Sequence, residues 1–189
     1  MNEETDLAGT AAAFRAPDRL TSLADVGAVP NSPGVYGWWF RRASLDVPAR
    51  DYRSVDGFDL LYVGISPSRE ASSGNLRKRV RQHVGGDASR STLRRTLGTL
   101  LDERLGLVLA LNHGRATYGR AGEAALTEWM LENAALTWVE NSAPWLVERE
   151  LLHTETLALN IDGRNDEFVR ALADRRREAL RRARLSALA

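Results

Sequence analysis

The chain has 189 residues, no cysteine and a formal net charge of +1. Without cysteine it has no disulfide, no thiolate zinc site and no cysteine nucleophile. No apolar run approaches the roughly 18 residues of a membrane-spanning helix, and the acidic start Met1-Asn2-Glu3-Glu4 carries no secretory signal, so a cytoplasmic protein is expected.

Length and 43% hydrophobic content suit one domain with appendages. The net charge hides an uneven distribution. Residues 76–95 hold seven basic side chains against Asp87 alone, and residues 164–184 hold eight arginines against four acids. Residues 120–155 hold seven glutamates against two arginines. An acidic region beside basic helices suits a metal-assisted site for a polyanion. Lys78 is the sole lysine, so the arginine bias reflects genome composition as well as binding, and position counts for more than number.

Residues 1–30 read as a poorly ordered or loosely docked arm, with one short helical turn between Thr21 and Val29. After the turn Asn31-Ser32-Pro33-Gly34, the run Val35-Tyr36-Gly37-Trp38-Trp39-Phe40 is aromatic and β-prone, a predicted strand. Residues 41–59 read as a long polar connection. Leu60 to Ile65 is a second strand, followed by a Ser/Gly-rich loop to Gly74. Leu76, Val80 and Val84 recur at four-residue steps and predict a basic helix ending at Gly85-Gly86. A second helix starts near Ser91 and buries Leu93, Leu97, Leu100, Leu101 and Leu105, and Gly106 closes it. Leu107 to Leu111 is a further strand candidate, with a turn at Asn112-His113-Gly114. A helix over 123–133, a strand over 136–140 and a helix over 145–156 follow. Asn141 or Ser142 is the expected cap of the last of these, with Pro144 in its first turn. A C-terminal amphipathic helix, about 166–184, is anchored by Phe168 and Leu172. The expected division is an arm over 1–30, a domain over 31–163 and a basic helix over 164–189.

Within this frame stand Gly34-Val35-Tyr36, then Tyr62-Val63-Gly64, then Asn75-Leu76-Arg77-Lys78-Arg79 with His83 four residues later, and finally Glu148 on a helix with Asn160 twelve residues on. Either tyrosine triplet alone is weak; the ordered set is not. It resembles the GIY-YIG nuclease family from about Pro33 to Asp162. The resemblance implies an α+β fold in which a small antiparallel three-stranded sheet is flanked by helices. It implies a hydrolase that cuts phosphodiester bonds with Mg²⁺ or Mn²⁺. The family's functional residues fall on Tyr36, Tyr62, Arg79, His83, Glu148 and Asn160, with Glu148 the metal ligand. Many members carry a lysine after the second-motif glycine, whereas Ile65 and Ser66 follow Gly64 here. The long 41–59 and 65–75 segments are more like the restriction-endonuclease branch than the repair branch.

The chemistry of these side chains agrees. A phosphodiester needs its attacking water deprotonated and its developing charge neutralised. One carboxylate holding a divalent ion serves the second need, and a guanidinium at Arg79 matches a phosphate. Glu150 lies about 200° around the helix from Glu148, and Glu155 lies two turns on, roughly 10 Å away, so neither shares the ion. Tyr36 or Tyr62, near a metal and Arg79, ionises more easily and orients or deprotonates water. His83 relays a proton, binds phosphate or plays a structural part. Asn160 braces the site through hydrogen bonds. Arg77, Lys78, Arg81, Arg94 and Arg95 are candidates to track a nucleic-acid backbone. The five tryptophans read mainly as core, and His113 and His153 as structural. DNA is the expected partner. RNA as substrate, or a binding module that has lost turnover, are the alternatives. Restriction, phage defence, repair and mobile-element roles, and a homodimer, all stay open.

Overall fold

The run Val35–Phe40 is apolar at every position, as a strand covered on both faces must be. The computed structural model, which describes residues 3–161 and 166–188, places it in β2, with all residues from Gly34 to Phe40 buried. The elements are α1 (Glu3–Arg15), β1 (Thr21–Ser22), a 3₁₀ helix (Leu23–Ala28), β2 (Gly34–Arg41), β3 (Ser54–Val55), β4 (Phe58–Ser66), α2 (Leu76–Gly85), α3 (Thr92–Leu100), α4 (Asp102–Leu105), β5 (Ala110–Asn112), β6 (Arg115–Thr117), α5 (Gly119–Asn133), β7 (Ala134–Glu140), α6 (Pro144–Thr154) and α7 (Glu167–Ser186).

The main sheet is antiparallel with strand order β1-β7-β2-β4-β3. The sequence predicts three strands; the sheet has five. The three predicted strands are its centre, and the two additions are edge strands of two residues each, too short to carry a period. β3 joins β4 through Asp56-Gly57, both at positive φ (50° and 80°), the backbone that an Asp-Gly hairpin turn demands. That pair sits inside the segment predicted to be a plain connection. A separate hairpin, β5 and β6, turns at His113-Gly114.

Helices cover both faces of the sheet. On one face Val35, Trp39, Leu60 and Val63 pack with Phe14 of α1 and with Val147 and Leu151 of α6. On the other, Tyr36, Trp38 and Phe40 pack with Leu76 and Val80 of α2, Leu93 and Leu97 of α3, and Trp129 and Met130 of α5. Trp38, Trp39 and Trp129 are buried, as predicted for core aromatics.

Residues 3–15, predicted to be a loose arm, are instead a docked helix. Phe14 is fully buried because Gly37 leaves it room: a Cβ at Gly37 would lie 2.7 Å from the Phe14 ring. Arg15 then bonds Glu150 and Glu155, each at 2.9 Å, and Arg53 bonds Glu155 at 2.9 Å. At the other end of the chain, Asp166 caps α7 by accepting from the Val169 N–H at 3.1 Å. Val169, Leu172 and Ala183 are the buried anchors of α7, whereas the predicted anchor Phe168 is only partly covered. The expected boundary at 163/164 lies outside the described residues.

Candidate active site

α2 begins where Asn75 accepts from the Lys78 N–H at 2.8 Å, an N-cap that fixes the rotation of the helix against the sheet. Leu76, Val80 and His83 then face inward. This leaves Lys78 and Arg79 on the flank, where they line a cavity of about 420 Å³ with Tyr36, Tyr62, Gln82 and Glu148. Its floor is the Gly64–Ser66 end of β4, and the serine-rich loop over 67–74 forms its wall. α2 and α6 cover opposite faces of the sheet, yet each sends a side chain into this one cavity.

β2 and β4 bring the two phenols together. Tyr36 pairs with Gly64 and Trp38 with Tyr62. Directly opposed residues share a face, so both tyrosines point toward α2. The register shifts between Trp38 and Trp39, and the bulge leaves Leu61 without a partner on β2. The two tyrosine rings lie 6.5 Å apart. Tyr36 Oη is 2.8 Å from His83 Nε2, and His83 Nδ1 is 2.7 Å from Ser91 Oγ.

Burial pushes both phenols up, Tyr36 strongly; the Arg79 charge acts in the opposite sense but is outweighed. The expectation that these tyrosines ionise more readily is therefore not met by the protein's own groups. Burial, with Arg79 and Arg94 nearby, holds His83 well below the usual imidazole range, so it is neutral at physiological pH.

Glu148 is set apart from the other acids of its segment. Glu150 and Glu155 are neutralised by arginines. Among the described residues no hydrogen bond or ion pair engages Glu148, and burial alone raises its carboxyl to about 7. A half-buried carboxylate without a cation fits the single protein ligand of a divalent ion. Among the described residues there is no cluster of three His, Asp or Glu, so a closed multi-carboxylate cage is not the arrangement here.

Arg79 is steadied from within its own helix and by the next loop: Nη1 donates to Gln82 Oε1 at 3.0 Å and to the Arg90 carbonyl at 3.3 Å. Gln82 escaped the sequence reading, although its three-residue spacing from Arg79 marks it as a helical neighbour. Asn160 stands behind the cavity. It donates to the Val63 carbonyl at 2.8 Å and accepts from the Val63 N–H at 2.9 Å, while Leu159 N–H bonds the Leu61 carbonyl at 2.9 Å. Residues 159–160 thus cover the outer edge of β4 beyond the short β3.

The basic residues divide. Lys78 and Arg81 are exposed. Arg77 donates to the Val29 carbonyl at 2.6 Å, and Arg95 to the Ala88 carbonyl at 3.1 Å. Arg94 is fully buried. Its guanidinium bonds Glu123 Oε2 at 2.8 Å and the carbonyls of His83 and Val84 at 3.2 and 2.9 Å. The sequence offers Arg94 and Arg95 as backbone-tracking cations. Arg94 instead joins α2, α3 and α5 from inside, and Arg95 closes the loop between α2 and α3.

A larger cavity, about 820 Å³, lies among α3, α4, the segment 106–109 and α7. Its Arg175 pairs with Asp102 at 3.0 Å, and none of Tyr36, Tyr62, His83 or Glu148 reaches it. The smaller cavity is the one with an unpaired acid, a steadied guanidinium and two phenols.

Among the described residues no helix is long and apolar enough to cross a membrane. No curated protein and no solved structure matches the chain. A family model described as the GIY-YIG catalytic domain matches residues 34–180, from the first residue of β2 into α7. This domain is a nuclease domain of the endonuclease type, its members are generally dependent on a divalent metal, and its work implies nucleic-acid binding. On that match, which spans most of its length, the chain belongs to the GIY-YIG catalytic-domain family.

Proposed function

We propose that this protein is a Mg²⁺-dependent endonuclease that hydrolyses phosphodiester bonds in DNA, with Mn²⁺ as a substitute ion. The observation that carries the reading is the meeting of Glu148, Arg79, Tyr36 and Tyr62 at one cavity, from four separate elements. Glu148 is the residue that would hold the ion, and its lack of an arginine partner supports that choice. When bound, the ion supplies Lewis-acid polarisation of a phosphoryl oxygen.

The chain's own groups do the rest. Arg79 takes the charge that develops on the phosphate, held in place by Gln82 and the Arg90 carbonyl. Tyr36 and Tyr62 hold and orient the attacking water through their hydroxyls, and one of them takes the water's proton as its own hydroxyl hydrogen passes to a phosphate oxygen. Lys78 and Arg81, exposed on α2, attract the nucleic-acid backbone toward the cavity. His83 holds Tyr36, and Asn160 holds the β4 edge behind Tyr62.

Incubation with supercoiled plasmid and Mg²⁺, with EDTA as the control, tests this. Wild type nicks the plasmid only without EDTA. Glu148→Ala abolishes nicking and leaves binding largely intact. Arg79→Ala slows cutting by about 10²-fold or more, the usual cost of one such contact. Cutting by Glu148→Ala at the wild-type rate would sink the assignment. Binding without any cutting would favour a module that has lost turnover, the reading the missing lysine after Gly64 supports. Preferential digestion of a parallel labelled RNA would move the substrate to RNA.

A further inference from the structure

His83 is bonded at both ring nitrogens, and the direction of those bonds is decided outside the cavity. A neutral imidazole donates from one nitrogen and accepts at the other. One nitrogen faces Tyr36 Oη and the other Ser91 Oγ. Ser91 is fully buried and is the N-cap of α3: its oxygen already accepts from the Arg94 N–H at 3.0 Å.

Two arrangements are open. If His83 Nδ1 carried the hydrogen, it would donate to Ser91, both lone pairs of that oxygen would be engaged, and the buried hydroxyl hydrogen would have no acceptor. If the Ser91 hydroxyl donates to Nδ1, Ser91 and both ring nitrogens are matched, and the hydrogen left over is that of Tyr36, which lines the cavity, rather than one sealed inside the protein. Among the described residues Nδ1 is the one acceptor bonded to that hydroxyl, and buried donors are overwhelmingly satisfied.

We therefore infer that Ser91 fixes His83 as the Nε2–H tautomer, which donates to the Tyr36 oxygen and turns the Tyr36 hydroxyl hydrogen toward the cavity. His83 in this state is no acceptor for the Tyr36 proton. Arg94 keeps the geometry closed, because its guanidinium ties the carbonyls of His83 and Val84 at the end of α2 to the first turn of α3. Ser91 is a positioning residue that acts through His83 and never meets substrate. That positioning role rests on the nuclease reading; the tautomer does not.

Long-range ¹H–¹⁵N NMR of the metal-free, substrate-free protein tests it. The chain has three histidines, and His83→Gln identifies the resonances of His83 by their loss. Wild type, Ser91→Thr and Tyr36→Phe should all show a protonated Nε2 and a hydrogen-bonded, unprotonated Nδ1. In Ser91→Ala the Nδ1 resonance should move to that of a free acceptor nitrogen or split between tautomers. An Nδ1–H tautomer in wild type, its appearance in Tyr36→Phe, or an unmoved Nδ1 resonance in Ser91→Ala would overturn the inference. Should Ser91→Ala fail to fold, the wild-type and Tyr36→Phe spectra decide alone.

In the plasmid assay Ser91→Ala should lower kcat about tenfold or more with little change in KM, and Ser91→Thr should restore it. Equal rates for wild type and Ser91→Ala would overturn the positioning role. A wild-type protein that never cuts would overturn the nuclease reading and leave the tautomer measurement intact.

Discussion

Gly64 faces Tyr36 directly across the β2–β4 ladder, and a Cβ at Gly64 would lie 2.5 Å from the Tyr36 hydroxyl oxygen. The phenol therefore lies across the neighbouring strand, in space that only glycine leaves open. The atom met is the far end of a side chain, so the fold can give way by moving Tyr36. Gly64→Ala should fold with a stability loss of about 1–3 kcal/mol. Its kcat should fall at least tenfold, with substrate binding nearly unchanged. Denaturant unfolding and plasmid-nicking kinetics check both halves; wild-type kcat would show that the position of Tyr36 does not matter to the reaction.

Glu148 links pH, metal and stability. Its carboxyl is raised to about 7 in the folded chain from an ordinary 4.5, so the native state binds the proton more tightly than the unfolded state. Stability from this group is therefore whole below about pH 4.5, falls as pH rises toward 7, and is at its lowest above that. Glu148→Gln should be more stable than wild type at pH 8 without metal, by about 1–2 kcal/mol after allowance for solvent screening. The advantage should vanish at pH 4. Mg²⁺ should raise the Tm of wild type at pH 8 and leave that of Glu148→Gln unchanged. Thermal melts at the two pH values, with and without Mg²⁺, measure this. Equal responses of the two proteins to Mg²⁺ would remove Glu148 as the ligand.

Exposed and buried cations should separate in a salt titration. Taking one cation away from the phosphate backbone lowers the slope of log K against log salt by roughly one. Lys78→Ala and Arg81→Ala should each do so and leave the Tm almost unchanged. Arg94→Met should leave the slope alone and destabilise the fold by about 3–5 kcal/mol, because the Glu123 carboxylate is left without its charge partner inside the protein. Adding Glu123→Gln to Arg94→Met should recover part of that stability.

The sequence makes the three central strands and the basic helix legible, because period, aromatic content and spacing all bear on them, and of its six motif residues Tyr36, Tyr62, Arg79 and Glu148 line one cavity. It hides features set by distant contacts. Arg94 and Lys78 are both basic residues near the start of a helix, and only packing against Glu123 separates the buried one from the exposed one. Ser91 reads as a helix start and nothing more, since its contact with His83 crosses the loop between α2 and α3. β1 and β3 have two residues each, so no alternation can announce them, although Asp56-Gly57 does mark the turn beside β3. Residues 3–15 look like an arm because few of them are large and apolar; Phe14 fitted over Gly37, the buried Ala11 and the Arg15 ion pairs dock them.

That docking has consequences at the site. Phe14 fills the space over Gly37 on the face opposite Tyr36, and Arg15 holds the end of α6, the helix that carries Glu148. Phe14→Ala removes a fully buried ring and should cost about 3–5 kcal/mol. Arg15→Ala removes one partner of Glu155 while Arg53 stays bonded to it, and should cost less, about 1–3 kcal/mol. Because α6 would then be held less firmly, Arg15→Ala should also raise the Mg²⁺ concentration that gives half-maximal cutting, by about two- to tenfold, with little change in plasmid affinity. Urea unfolding and a Mg²⁺ titration of cutting rate read the two effects separately. An Arg15→Ala protein with lowered stability but an unchanged Mg²⁺ requirement would confine α1 to a part in folding.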